Sequence, residues 1–349
     1  MSTYKEINGT GIEALSADPP NPQEGQVWYR SDLGTFKTRK QSALGAWSTS
    51  DPLSSPKAAV GSAGTQTAAL AFGGRSDPIP NDYISETEAY NGSTWTTVNS
   101  LNAGRQGPTS AGTQTSAIFI GGRDDTPTPD FYRSDLTEQY NGTNWTTSVN
   151  TPSPTRFGSA TATSNTAVLW FGADSRPTFP EYTTNAFTFD GTSWTATNAM
   201  NQSMNRRVEF GTQTAAIAYG GEPMDAYVES WNGTNWTSLT NFPSTIYSPS
   251  PEYRKLGGGS GTSTAGIVFQ GDDGSAGGSN KSTYFDGSSW TIAPYTLGSG
   301  WYVGRSSAGT QTAALCIGGR TPPSIPGSQT DQVEQFNAPA AVTETITLE

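Results

Sequence analysis

Carboxylate pairs, recurrent arginines and loop aromatics are the side chains of this 349-residue chain that could do chemistry. Asp124-Asp125 and Asp272-Asp273 have the residue type of a glycosidase acid pair. Glycoside hydrolysis needs its two carboxylates at a set separation, a condition the sequence does not express. Asp272-Asp273-Gly274 also offers oxygen ligands to calcium, without the full spacing of an EF-type loop. The chain has no histidine, which excludes a Ser-His-Asp triad, a Cys-His pair and a His-ligated metal. The single cysteine, Cys316, rules out an intramolecular disulfide, and its place in the run AALCIGG makes it a small core residue. The expectation is a non-enzymatic protein with no cofactor and no metal site.

Basic residues fall at two recurrent places. Lys57, Arg105, Arg156, Arg206, Arg254 and Arg305 precede a β-prone run, and Arg75, Arg123 and Arg320 follow a glycine doublet. Loops between them carry Phe131, Tyr132, Arg133, Phe179, Tyr182, Trp301 and Tyr302, with Tyr83, Tyr247 and Tyr253 in equivalent stretches. Aromatic faces beside charged and amide groups suit sugar rings, and a local group of cations can hold an anion on a chain of net charge −11. The candidate binding residues are therefore Arg75, Arg123, Phe131, Tyr132, Arg133, Phe179, Tyr182, Trp301, Tyr302 and Arg320. The alternative is structural: the arginines hydrogen-bond loop carbonyls and the aromatics pack onto the ends of the strands.

What must position these residues is a repeat. GTQTAALAFGG at Gly64 returns as GTQTSAIFIGG at Gly112, TSNTAVLWFG at Thr163, GTQTAAIAYGG at Gly211, GTSTAGIVFQG at Gly261 and GTQTAALCIGG at Gly309, at spacings of 48, 51, 48, 50 and 48 residues. YNGSTW, YNGTNW, FDGTSW, WNGTNW and FDGSSW follow the first five copies and end at Trp95, Trp145, Trp194, Trp236 and Trp290. A period near fifty residues points to a β-propeller. Each copy reads as four antiparallel strands, a to d, with a Gly-Thr-Gln turn between a and b. Asn-Gly joins c to d as a tight turn in which both central residues take positive φ. The copies lack a 3.6-residue apolar period, so helix is expected to be nearly absent. The sixth copy lacks its tryptophan strand, while an unmatched one, LGAWSTS around Trp47, lies ahead of the first. A strand lent from the N-terminal side would close the ring and remove two exposed edges. The fold expected is all-β: a six-bladed propeller over 43–337, closed by an N-terminal strand. A short β-hairpin extension occupies 1–42 and a tail 338–349.

The glycine doublet ending strand b, the aromatic ending c and the tryptophan opening d resemble the kelch repeat over roughly residues 43 to 337. The aromatic-to-tryptophan spacing is tighter than in kelch, and the third and fifth copies lose one glycine of the doublet. The resemblance implies a propeller with a binding role. FDGTSW is similar to the Asp-box turn of six-bladed sialidases, but that box keeps a residue between its Asp and Gly.

Upstream, NPQEGQVWY from Asn21 to Tyr29 resembles a hairpin segment of many bacteriophage tail and virion proteins. Trp28, Tyr29 and Phe36 are its expected attachment residues. Together the two segments make the chain similar to a marine, cyanophage-type virion structural protein. That resemblance implies tail- or capsid-associated placement in the virion after synthesis in the host cytoplasm, in several copies per particle. It also implies other virion proteins as partners, and a host-surface glycan as a further one. A carbohydrate-binding propeller of a secreted bacterial protein is the alternative, and a glycan hydrolase the third reading. A pI near 4.5 without a basic tract argues against nucleic acid, and no apolar run reaches membrane-spanning length. Only 14% of residues are charged, yet 11% are aromatic and the repeat is strict, which argues for packed sheet over disorder.

Overall fold

A computed structural model describes residues 12–20, 26–41, 45–76, 83–107, 109–124, 133–174, 182–203, 208–221, 226–242, 257–269, 280–298, 306–320, 329–339 and 341–346. The chain divides into two compact parts: a terminal module of Met1–Ala46 with Ala338–Glu349, and a repeat module of Trp47–Asn337. Among the described residues there is no helix, and the strands form seven four-stranded sheets. The architecture is all-β and propeller-like.

Six of the sheets belong to the repeat module, and five of them take their four strands consecutively from one repeat. The second copy shows why. Strands Thr109–Thr113 and Ser116–Ile120 pair with Thr113 opposite Ser116, so the turn is the two residues Gln114-Thr115, and Gly112 and Thr113, expected in the turn, belong to the strand. Gly112 has φ +115°, and a Cβ there would stand 2.2 Å from the Ser116 carbonyl oxygen, which no side chain tolerates. In the third copy that glycine is absent, and a register shift between Ala162 and Ser164 takes up the turn with an extra residue.

The turn between strands c and d differs from expectation. Tyr140 pairs with Trp145, leaving a four-residue loop closed by Asn141 N donating to Asn144 O at 3.2 Å. Of the Asn-Gly pair only Gly142 has positive φ. Asn141 works through its side chain: Oδ1 accepts the N–H groups of Thr143 and Asn144 at 3.0 and 2.8 Å. Aspartate can do the same, and Asp190 accepts from Thr192 N and Ser193 N at 2.8 Å each. That is why the sequence alternates Asn and Asp here.

The core lies between sheets, because strand b is buried on both sides. Ala117 and Phe119 join Leu70 and Phe72 of the first sheet, while Ile118 and Ile120 join Val168 and Trp170 of the third. The same interleaving places Val60, Ala69 and Tyr90 with Leu315, Ile317 and Val333, the first sheet against the sixth. The a strands neighbour one another in order along the chain, and Ser306–Gly309 of the last also neighbours Gly61–Thr65 of the first.

The sixth sheet has the order Ser306–Gly309, Ala313–Ile317, Val333–Asn337, Ala46–Ser50, so its fourth strand comes from before the first repeat. Trp47 there repeats the contacts of its counterparts. Trp145 reaches back to the preceding sheet, with Phe72 at 4.7 Å and Nε1 donating to Thr87 Oγ1 at 3.0 Å. Trp47 has Phe269 at 5.1 Å and donates to Ser282 Oγ, the residue equivalent to Thr87, at 2.9 Å.

In the terminal module, Val27–Arg30 and Thr35–Gln41 form the hairpin, with Glu13–Leu15 parallel to the first strand. The segment read from sequence as a C-terminal tail contains a strand, Ala341–Ile346, antiparallel to Thr35–Gln41. Both ends of the chain thus meet in one sheet.

Two outcomes test this packing. Trp47→Ala should lower unfolding free energy by roughly 3 kcal/mol, the low end for tryptophan truncation because the residue is only partly buried; an unchanged urea midpoint would contradict its role. The hydrogen bonds from Thr192 and Ser193 to Asp190, and from Ser289 and Ser288 to Asp286, hold both carboxyls below the ordinary value of 3.8. A depressed folded-state pKa stabilises above the unfolded value and is lost as pH falls through the folded one. The Tm advantage of the parent over Asp190→Asn should therefore be constant above about pH 5 and shrink progressively as pH falls below it; a difference independent of pH would remove the carboxylate from the account.

Candidate functional site

The loop end of the repeat module is built from the residues that follow strand b. After the glycine doublet the chain makes single bridges to the segment ahead of strand a: Arg75 with Ala58, Arg123 with Gln106, Asp174 with Arg156. On the other side Arg75 bridges Tyr83, Asp174 bridges Tyr182, and Arg320 bridges Gln329. The doublets themselves tie each sheet to the next, with Gly74 N donating to Arg105 O at 2.8 Å, Gly122 N to Thr155 O at 3.0 Å and Gly319 N to Lys57 O at 3.0 Å.

Beneath these bridges the cations ahead of strand a are consumed. Lys57 is buried and pairs with Glu86 at 2.5 Å and with Glu88. Arg105 is fully buried; Nη1 donates to the carbonyls of Gly121 and Leu136 at 2.7 and 2.8 Å, and Nη2 meets Glu138 Oε1 at 2.7 Å. Its guanidinium stands 4.3 Å over the Phe119 ring. Burial pushes its pKa down and the Glu138 carboxylate opposes that, so the pair keeps its charge by facing each other. Glu138 uses its other oxygen to accept Asn102 N at 2.7 Å.

The third repeat has Phe187 where the second has Glu138, and the network rearranges around Asp174. Arg156 Nε meets Asp174 Oδ2 at 2.7 Å, and Arg133, from the preceding sheet, meets Oδ1. The expected basic ring is thus a structural set of buried ion pairs for its described members. Arg206, Arg254 and Arg305 lie outside the described residues, although two of their counterpart carboxylates, Glu229 and Glu334, are buried as Glu138 is.

The candidate binding residues divide accordingly. Arg75, Arg123, Arg320 and Tyr182 are partly exposed at the loop end, and Arg123 lies 5.9 Å from the Tyr83 ring. Arg133 is not surface-available: it is 3% exposed and belongs to the Asp174 network. Phe131, Tyr132, Phe179, Trp301 and Tyr302 lie outside the described residues, as do Asp125, Asp272 and Asp273. No group of three His, Cys, Asp or Glu able to hold a metal ion occurs among the described residues. Cys316 is fully buried.

In the terminal module, Trp28 is fully buried and donates Nε1 to Asp18 Oδ1 at 3.0 Å. Asp18 also takes Arg30 Nη1 at 2.9 Å, and the Arg30 and Trp28 bonds hold its carboxyl below the ordinary value. Trp28 therefore braces the sheet from within. Tyr29 and Phe36, opposite each other in the hairpin with rings 5.0 Å apart, are the partly exposed members of the expected attachment set.

Two features escaped the sequence reading. The Gln of each Gly-Thr-Gln turn reaches the previous sheet: Gln114 Nε2 donates to Tyr90 O at 2.6 Å, Gln213 to Phe189 O at 3.1 Å, and Gln311 to Phe285 O at 2.9 Å. Gln66 makes the same bond to Phe336 O, 270 residues along the chain, at 2.5 Å. The recurrence of Gln at a turn that needs no amide was the available signal. The second feature is a cavity of about 220 Å³ among the a strands, lined mostly by Gly, Ala, Ser and Thr with Glu209 as its one ionisable lining residue. The small residues of GSAGT, TSAGT and GGSGT forecast it.

The chain matches no protein-family model and no curated protein. No helix among the described residues is long and apolar enough to cross a membrane.

The buried pairs should separate by redundancy in a stability measurement. Arg105→Ala strands a buried Glu138 and should cost on the order of 3–5 kcal/mol in urea unfolding. Arg156→Ala leaves Asp174 paired with Arg133 and should cost clearly less. Equal losses for both would show that the shared carboxylate needs both of its cations.

Proposed function

We propose that the six repeat sheets close into a six-bladed, kelch-like propeller, and that the protein is a non-enzymatic structural and recognition component of a bacteriophage virion, in the tail or on the capsid. The observation that carries this reading is the division of labour in the chain. A separately compact sheet holds the virion-like segment around Trp28 and Tyr29. The repeat module spends its Gly-Thr-Gln turns on contacts between sheets, and the residues after its glycine doublets lie at the opposite end. Closure is supported by the bond from Gln66 to the sixth sheet and by the apolar cluster shared by the first and sixth sheets. Binding in place of catalysis is supported, among the described residues, by the commitment of Glu88, Glu138 and Asp174 to ion pairs with Lys57, Arg105, Arg133 and Arg156.

On this reading the terminal module attaches the protein to its particle and the loop end recognises a further partner. Mass spectrometry of purified virions should find the chain. Because Ala341–Ile346 completes the terminal sheet, attachment is tested by removing residues 1–42 and 339–349 together, which leaves Trp47 and all six repeat sheets. That shortened protein should keep a Tm within a few degrees of the full chain and fail to enter particles. Incorporation at the normal level would move attachment onto the repeat module, and absence of the chain from virions would leave the secreted sugar-binding alternative.

A further inference from the structure

Neighbouring sheets of the repeat module are pinned to each other by three recurrent polar bonds. The first is the turn amide: Gln66, Gln114, Gln213 and Gln311 each donate to a carbonyl of strand c in the sheet before, and Asn165 does so to Tyr140 O at 2.8 Å. The second is a buried carboxylate on strand c. Glu138, Glu229, Glu334 and Glu88 accept the backbone N–H of Asn102, Asn201, Gly298 and Ser54 at 2.7, 2.9, 2.9 and 2.9 Å. Each of those donors follows strand d of the sheet before. The third is the indole N–H of strand d, which Trp145 gives to Thr87 and Trp47 gives to Ser282, the first residue of strand c next door.

At the seam between the fourth and fifth sheets each of the three positions has lost its group. Ser263 stands in the turn in place of glutamine. Thr283 stands in the place of Glu138, and its Oγ1 is buried without a hydrogen-bond partner. Val228 stands in the place of Thr87, and Trp290 Nε1, which would meet a hydroxyl there, is also buried and unpartnered. Other seams lose one pin and keep the rest. Trp236 Nε1 is orphaned opposite Ala186, but that seam has Gln213 and Glu229. Phe187 replaces the glutamate at the seam of the second and third sheets, which has Asn165 and the Arg133–Asp174 pair. The cluster shared by the fourth and fifth sheets is apolar. Tyr219 lies 4.8 Å from Phe242 and 5.4 Å from Trp290, and these two rings are 4.9 Å apart, with Val228, Val268 and Phe285 beside them. Apolar contact is non-directional and does not fix one sheet against sliding past another. We propose that this seam is the opening point of the repeat module: the fourth and fifth sheets part as intact sheets under conditions where the other seams stay closed. Parting returns water to the Thr283 hydroxyl and the Trp290 N–H, which favours the open state.

Thiol labelling with a dithiobis-nitrobenzoate in native buffer reads the opening of each seam. Val268 belongs to the cluster of the fourth and fifth sheets and Ile118 to that of the second and third. Leu315 and Ile317 face the first sheet, so Cys316 between them faces the fifth. Val268→Cys/Cys316→Ala should react about tenfold faster, or more, than Ile118→Cys/Cys316→Ala and than Cys316 in the parent, since each missing hydrogen bond shifts an opening equilibrium by about two- to tenfold. The rate at position 268 should change little in low urea, as for a local opening that exposes little surface, while the other two follow global unfolding. That dependence separates seam opening from a general loss of stability, so a destabilised variant still gives an answer. Ser263→Gln, added to the Val268→Cys/Cys316→Ala protein, should slow its labelling about fivefold by supplying the turn amide. Equal rates at the three positions, a faster rate at 118 or 316, or a steep urea dependence at 268 overturns the proposal. A rate at 268 that Ser263→Gln leaves unchanged overturns the missing amide as its cause. Every one of these results leaves the particle-incorporation experiment untouched, so the seam and the virion assignment fail separately.

Discussion

The rest of the structure depends on one constraint: a four-stranded sheet with apolar side chains on both faces cannot bury them by itself. In the second sheet Ala117 and Phe119 face one neighbour while Ile118 and Ile120 face the other. Burying one large aliphatic or aromatic side chain contributes about 1.5–3 kcal/mol, so each repeat is stable only between two others. The first and sixth sheets meet this condition through each other, by way of Ala69, Tyr90, Leu315 and Val333. The completion of the sixth sheet by the Trp47 strand follows from the same need. Without it, Phe269 and Phe336 would lose the indole that stands 5.1 and 5.3 Å from them.

Apolar packing is not directional, and the polar groups supply register. The turn glutamines and Asn165 donate to carbonyls that already end the previous sheet, fixing how far each sheet slides past its neighbour. The fifth copy has Ser263 at this place, too short for the same reach. At the opposite end the buried ion pairs do similar work. A buried pair is weak as a source of net stability but severe as a penalty when mismatched. Arg133 and Arg156 sharing Asp174 show the rule in a repeat that has lost its glutamate. The carboxylate after the doublet supplies a counter-charge to both cations.

The terminal module solves a different problem. A two-stranded hairpin is marginal in water, and four strands with a buried tryptophan are not. The chain recruits Ala341–Ile346 from its far end to reach four, as the repeat module recruits Ala46–Ser50 from the near end. Each module is therefore completed by a strand that crosses to it in sequence. Trp28, chosen from sequence as a contact residue, is spent inside that sheet, which leaves Tyr29 and Phe36 as the side chains with surface to offer.

The sequence by itself determined the repeat, the all-β class, the strand boundaries near each glycine and tryptophan, and the origin of the fourth strand of the last sheet. These are local or periodic properties: glycines and β-prone runs that recur at one period, and an indole missing from one copy and surplus in another. Tertiary structure decided which cations are framework and which are surface. Lys57 and Arg75 are both basic residues flanking a strand, and Lys57 is buried against Glu86 and Glu88 while Arg75 is partly exposed. It also decided that Asn141 acts through its side chain in a four-residue loop, and that Gln66 answers to Phe336. The physical reason is common to all three. Burial and partnership depend on groups brought together from distant parts of the chain, and a residue's type states what it can bond but not what will be there to meet it.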